Sequence, residues 1–239
     1  MMEIGSSREQ MVRPELARMW LQLVAHKQDF RFTSRLPYSF THEGKLDAES
    51  LKRFHEGLRP LMESGKLGCL VMEFPWACRF TKENREFFIK LRRLFSDYPL
   101  VAEMRHESWQ SEEALGTFID YHVGFANIDQ PQYVKAMPPT AFLTSSVGYV
   151  HLYGRSPANW NPAGRPKGSD YLYSPFELAE WKQRVDRLRA FASNLFIIAG
   201  NDAGGRSVVN MMQFQSMLAG QAPAIAQQPH GGGRRAAAA

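Results

Sequence analysis

Polar and apolar positions fall into two kinds of block along this chain. Short apolar or alternating runs predict strands, and longer stretches with apolar residues every three or four positions predict helices. Residues 67–74 form a near-continuous apolar run broken by Glu73, as in a strand buried on both faces. Residues 30–36 alternate and stop at Pro37. Residues 100–105, 124–129, 148–155 and 195–199 read as further strands. Residues 1–7 look like the tail of a strand, with Glu3 near its exit. That makes seven.

Helices are expected between most of them. Pro14 suits a first turn, and Leu16, Met19, Trp20, Leu23 and Val24 share one face beyond it. Asp47 caps a helix that stops before Gly65, and Thr81 caps one with the stripe Phe87, Phe88, Leu91, Leu94 and Phe95. Ser111 with Glu112 and Glu113 opens another, the acidic pair suiting the positive end of the helix dipole. Ser174, Pro175 and Glu177 form a capping box ahead of Leu178, Trp181, Val185 and Leu188. A last helix carries Val208, Met211, Met212 and Met217. Residues 38–46 and the stretch after Asp129 read as loops. Residues 156–173 form a longer one, of a length usual for lids or rims.

Repeated strand-then-helix order predicts a parallel sheet with right-handed crossovers. The expected fold is α/β and TIM-barrel-like, a (β/α)8 barrel lacking its first β/α unit, with seven parallel strands. Seven strands fill roughly 205 residues here, against about 250 for eight units, and the chain opens in a strand. Residues 1–220 are expected to form this domain. Residues 221–239, mostly Ala, Gln, Pro, Gly and Arg, are expected to be a disordered tail.

Composition narrows the setting. With 239 residues and 44% hydrophobic content, the chain can bury a large core. The net charge of +5 suits anionic ligands, including nucleic acid, although solvated helix surface and Arg234 and Arg235 account for much of it. Two cysteines, Cys69 and Cys78, give neither a disulfide framework nor a zinc ribbon, which fits a reducing compartment. No apolar run approaches the ~18 residues of a membrane span, and no signal-peptide pattern is present. A cytoplasmic location and no membrane partner are expected. A shortened barrel exposes strand edges, which makes dimerisation plausible without fixing the oligomeric state.

Chemistry concentrates where strands end. In a parallel barrel all exits share one mouth. Glu3, Arg35, His42, Glu73, Glu103, Arg105, Asp129, His151, Arg155, Asn201 and Asp202 lie at or just beyond exits. The densest stretch is Glu103-Met104-Arg105-His106-Glu107-Ser108-Trp109. Alternation puts Glu103 and Arg105 on one face, where Arg105 would lower the Glu103 pKa. Such a pair is either an anion-binding and acid/base site or a structural ion pair filling the barrel top. His106 has a pKa suited to proton transfer, and equally suits a helix cap. Gly204, Gly205 and Arg206 can hold an anion at the start of the last helix, or form a plain turn with Ser207 as cap. Trp76, Trp109, Trp160, Tyr171 and Tyr173 can form an aromatic rim, whereas Trp20 and Trp181 read as packing residues. His42, Glu103, Asp129, His151 and Asp202 are metal-ligand types without metal-ligand spacing, so no metal and no cofactor is assigned.

These motifs resemble the DUF72 (YecE-like) family, TIM-barrel-like proteins of unestablished function. The similarity rests on Phe32-Thr33-Ser34-Arg35-Leu36 with Phe40-Thr41-His42, on Glu73-Phe74-Pro75, and above all on the Glu-x-Arg-His-x-Ser-Trp element from Glu103 to Trp109. Asp129, the His151 to Arg155 strand and Asn201 also match. Three features depart from the pattern. The family's opening strand, with a Gly-Trp-x-Tyr-like element, is absent. Its lysine after the Phe-x-x strand is Arg35 here, and its paired asparagines are Asn201 and Asp202.

The leading expectation is an enzyme with hydrolytic or acid/base chemistry on a small anionic substrate, phosphorylated ones included. Glu103, His106, Asp129 and His151 are the catalytic candidates. Arg35, His42, Arg105, Trp109, Arg155, Asn201, Gly204 and Gly205 are the substrate-binding candidates. The rival readings are a metal-dependent nuclease or phosphoesterase and a non-catalytic ligand-binding barrel.

Overall fold

The computed structural model describes residues 1–5, 10–157 and 170–221. Seven strands form one parallel sheet in the order β1 to β7, curled into a nearly closed barrel. They are β1 (Met2–Ile4), β2 (Phe32–Arg35), β3 (Leu67–Glu73), β4 (Leu100–Glu103), β5 (Gly124–Asp129), β6 (Val147–Leu152) and β7 (Asn194–Ala199). All seven lie where alternation and apolar runs place them. The helices are α1 (Pro14–Leu23), α2 (Tyr38–Thr41), α3 (Ala48–Glu63), α4 (Lys82–Leu94), α5 (Glu112–Asp120), α6 (Pro175–Arg189) and α7 (Arg206–Leu218).

The caps work as their chemistry requires. Asp47 accepts from the Ser50 amide, Thr81 from Asn84 and Ser111 from Ala114. Ser174 and Glu177 close a reciprocal capping box. Two local features differ from the sequence reading. Residues 38–41 form the short helix α2 because Phe40 is pinned against Phe54 and Phe95, a tertiary cause with no periodic signal. The link from β5 to β6 is a loop, as read from the sequence, with Pro131, Pro138 and Pro139 along it. The last helix is capped at Gly205 rather than Ser207, which lies inside α7.

Alternation divides each strand between lumen and helix layer. On β6, Val150 and Leu152 pack with Leu178, Trp181, Val185 and Leu188 of α6. The other face turns Tyr149 and His151 into the lumen, where Tyr149 reaches Glu3 on β1 and His151 reaches Arg35 on β2. Phe196 fills the barrel near Gly68 of β3, where a Cβ would stand 2.4 Å from its ring. Glu73 and Glu103 are paired neighbours at the same height of β3 and β4. Most of the apolar core therefore lies between strands and helices, and the upper lumen is left to charged groups.

Candidate functional site

The upper lumen holds a buried network of charged side chains. Arg35 donates from Nε to Glu3 (3.0 Å) and from Nη1 to Glu73 (2.6 Å). Arg105 donates through Nη2 to Glu73 and Glu103, each at 2.9 Å. The Tyr153 hydroxyl donates to Glu103 at 2.6 Å, and the Arg105 guanidinium lies over the Tyr153 ring at 4.6 Å. His151 stacks on Tyr153 with ring centroids 3.6 Å apart. Its Nδ1 stands 2.7 Å from Arg35 Nη2 and 3.1 Å from Glu103 Oε2. The Tyr149 hydroxyl donates to Glu3.

Burial alone would raise the pKa of these carboxylic acids. For Glu103 it is outweighed by Arg105 and Arg35, with help from His151, and the carboxyl is held well below the usual range. For Glu3 it is outweighed by Arg35, His151 and the Tyr149 hydroxyl. Burial, reinforced by the Glu3 and Glu103 carboxylates, pushes Tyr149 and Tyr153 far up, so both remain hydrogen-bond donors.

A second cluster joins β5 to α6. Asp129 accepts from Arg155 Nε at 3.1 and 3.0 Å and from the Trp181 indole at 2.7 Å. Burial raises the Asp129 pKa against these donors. Arg155 also reaches Glu177 (3.2 Å) and Glu180 (3.5 Å), so three carboxylates surround it. Asn201 is buried beside β7, donating to the Tyr171 carbonyl (2.8 Å) and to Asn210 (2.9 Å). Gly204 and Gly205 take φ of +64° and +77° in the turn that leads into α7.

The structure thus brings Arg35, Glu103, Arg105 and His151 into one network and gathers Asp129 and Arg155 into another. Trp109 is corrected. It is fully buried among Phe80, Phe88 and Phe118, and its indole donates to the Cys78 carbonyl at 2.8 Å. It forms part of the aromatic core rather than a ligand rim, because the one-turn helix Glu107–Gln110 carries it back over the helix layer. Trp181, read as a packing residue, also serves Asp129. His42 stacks on Tyr38 at 4.0 Å and lines a rim cavity of about 400 Å3 with Thr41, Phe74, Pro75 and Asn84; no member of the buried network lines it. Trp160 lies outside the described residues, as does the tail from residue 222. Tyr149 and Tyr153 were missed. Their period-two spacing with His151 was the available signal.

Among the described residues, no group of three or more His, Cys, Asp or Glu side chains is placed to hold a metal ion. No helix among them is long and apolar enough to cross a membrane.

A nearly closed parallel barrel with a charged lumen at its strand exits defines a barrel-like α/β protein with its polar centre at one mouth. The chain belongs to the family described as "Protein of unknown function DUF72", whose model matches residues 2–232. It is similar to the UPF0759 protein YunF of Bacillus subtilis (strain 168), at 26% identity over 182 residues. That match covers 71% of this chain and 64% of the relative, so the chain spans less than two thirds of that protein's length. A DUF72 family protein from Thermotoga maritima MSB8 superposes with a TM-score of 0.76 at 29% identity, over 85% of this chain and 79% of that one. One from Enterococcus faecalis V583 shares the fold, with a TM-score of 0.80 at 24% identity over 91% and 88% of the two chains.

Proposed function

We propose that this protein is an acid/base enzyme, hydrolysis included, acting on a small anionic substrate at the barrel mouth. The carrying observation is the placement of His151 Nδ1 between Arg35 at 2.7 Å and Glu103 at 3.1 Å. Arg35 can only donate, and Glu103, held ionised, can only accept. Only one of the two contacts is a hydrogen bond at a time. A proton arriving at Nδ1 is stabilised by Glu103, and one leaving is replaced by the Arg35 donor. Nδ1 thus has a partner at hand in either protonation state, the placement a general acid/base needs. Its other nitrogen, Nε2, lies against Gly200 at the β7 exit, 2.9 Å from where a Cβ would stand.

Arg105 and Arg155 fit the expected anion clamp less well, since carboxylates already engage both. That same pairing favours a second reading, a non-catalytic ligand-binding barrel whose network is a structural plug. A metal-dependent nuclease has no donor set behind it among the described residues.

The test is a panel of phosphate monoesters, carboxylic esters and lactones, run on the wild type and on His151→Asn. The acid/base reading expects turnover that falls by about a hundredfold or more in His151→Asn, with circular dichroism unchanged. Turnover by neither protein, or equal turnover by both, would defeat it. A large loss of stability in His151→Asn, without any wild-type turnover, would favour the structural plug.

A further inference from the structure

We propose that the Trp76 indole and the His106 imidazole form a donor pair that receives the oxyanion of a small ligand, a carboxylate or a phosphate. The inference rests on the reading of this mouth as an anionic-ligand site and supplies the contact that Arg105 and Arg155 leave open. Trp76 follows the exit of β3 and His106 the exit of β4, neighbouring strands of the sheet. Their ring centroids are 5.5 Å apart at an angle of 50°. The Tyr133 ring, from the loop after β5, packs edge-on against Trp76 with centroids 5.9 Å apart.

Both rings present a buried nitrogen without a hydrogen-bond partner, Nε1 of Trp76 and Nε2 of His106. The indole nitrogen can only donate. The His106 tautomer follows from its neighbours. Its Nδ1 accepts from the Ser108 backbone amide at 3.1 Å, and a backbone amide cannot reverse its direction. The Ser108 hydroxyl lies 2.9 Å from the same nitrogen and is itself anchored by the Phe80 amide at 2.8 Å. With Nδ1 acting as acceptor, the proton of the neutral ring sits on Nε2. His106 is 5% exposed, and no protein group among the described residues accepts from Nε2.

The surroundings fix the sign of the ligand. The Arg79 guanidinium lies 6.0 Å from the Trp76 ring centre. Arg79 bears on His106, while Glu107 and Lys135 pair with each other at 2.8 Å and largely cancel. Two N–H donors beside the Arg79 guanidinium match an acceptor that carries negative charge. A cation, or a ligand offering only donors, would leave both nitrogens unpaired. This assigns His106 to binding, since a neutral ring that donates from Nε2 and accepts at Nδ1 has no lone pair left for a substrate proton.

The experiment is 15N NMR on the full chain with labelled tryptophan and histidine. Inorganic phosphate and acetate are titrated separately at constant ionic strength, and the Trp76 indole signal is assigned with Trp76→Phe. A saturable shift of the Trp76 indole and of His106 Nε2 is expected from one of the anions, and the anion that saturates names the ligand class. Affinity should fall by about tenfold or more in Trp76→Phe and in His106→Asn. The asparagine keeps an acceptor for the Ser108 amide, and its amide nitrogen falls short of the Nε2 position. Linear or absent shifts with both anions, as a buried water alone would give, overturn the proposal. So does undiminished binding in both variants. If Trp76→Phe does not fold, the wild-type titration and His106→Asn decide. Saturable binding in a protein without turnover would overturn only the acid/base reading.

Discussion

Arg35 and His151, 116 positions apart in the chain, meet across the lumen at 2.7 Å. Arg35 also holds Glu3 and Glu73, so one guanidinium joins β1, β2, β3 and β6. Removing it would leave the buried Glu3 carboxylate with only the neutral Tyr149 hydroxyl and Glu73 with Arg105 alone. Arg35→Met is expected to lower stability by ~3–5 kcal/mol in chemical denaturation. Arg35→Lys should not restore it, because a point charge cannot serve partners placed around a planar fork.

The lowered pKa values of Glu3 and Glu103 set an acid dependence. In the unfolded chain these carboxylates take up protons near their ordinary value of 4.5, and in the folded barrel they resist doing so. The unfolded state then binds more protons, so stability falls as the pH drops below that value. Denaturation across this range should show the loss, and Glu103→Gln should flatten the slope.

His106 titrates in the opposite setting. Burial, then Arg79, lower its pKa below the ordinary histidine value of 6.5, while Glu107 works the other way. Its NMR midpoint should lie below that of an exposed histidine, move up in Arg79→Ala and move further down in Glu107→Gln. A midpoint unmoved by either substitution would remove the charge argument.

Gly200→Ala should disturb His151 specifically. The added Cβ would stand 2.9 Å from His151 Nε2 and 3.3 Å from the Tyr153 ring. Overpacking of this kind costs about 1–3 kcal/mol, and the ring would have to leave Glu103 or Arg35. On the acid/base reading, turnover falls further than stability alone explains.

Trp109→Phe separates core from rim. Losing the indole donor leaves the buried Cys78 carbonyl unpaired, an expected cost of about 1–3 kcal/mol in the melting or denaturation midpoint. Anion affinity should be unchanged. A selective loss of affinity would return Trp109 to the ligand site.

The sequence by itself determined the elements and their order. Strand periodicity, the Asp47, Thr81 and Ser174 caps and the Gly65 stop are local devices, and each acts within a few residues of the position it controls. Parallel order then places every exit at one mouth, which is why Arg35, Glu73, Glu103, Arg105 and His151 could be grouped before any contact was known. Partner choice was decided only by the tertiary structure. Arg105 reaches Glu73 as well as its neighbour Glu103 because the β3 and β4 register brings both carboxylates to one height. Trp109 and His42 lie beyond strand ends, where no periodicity says which way a side chain turns; packing settled it, against Phe80 and Phe88 for Trp109 and against the neighbouring Tyr38 for His42. The orphaned nitrogens of Trp76 and His106 become visible only when all their neighbours are in place, since an unmade hydrogen bond leaves no mark in a sequence.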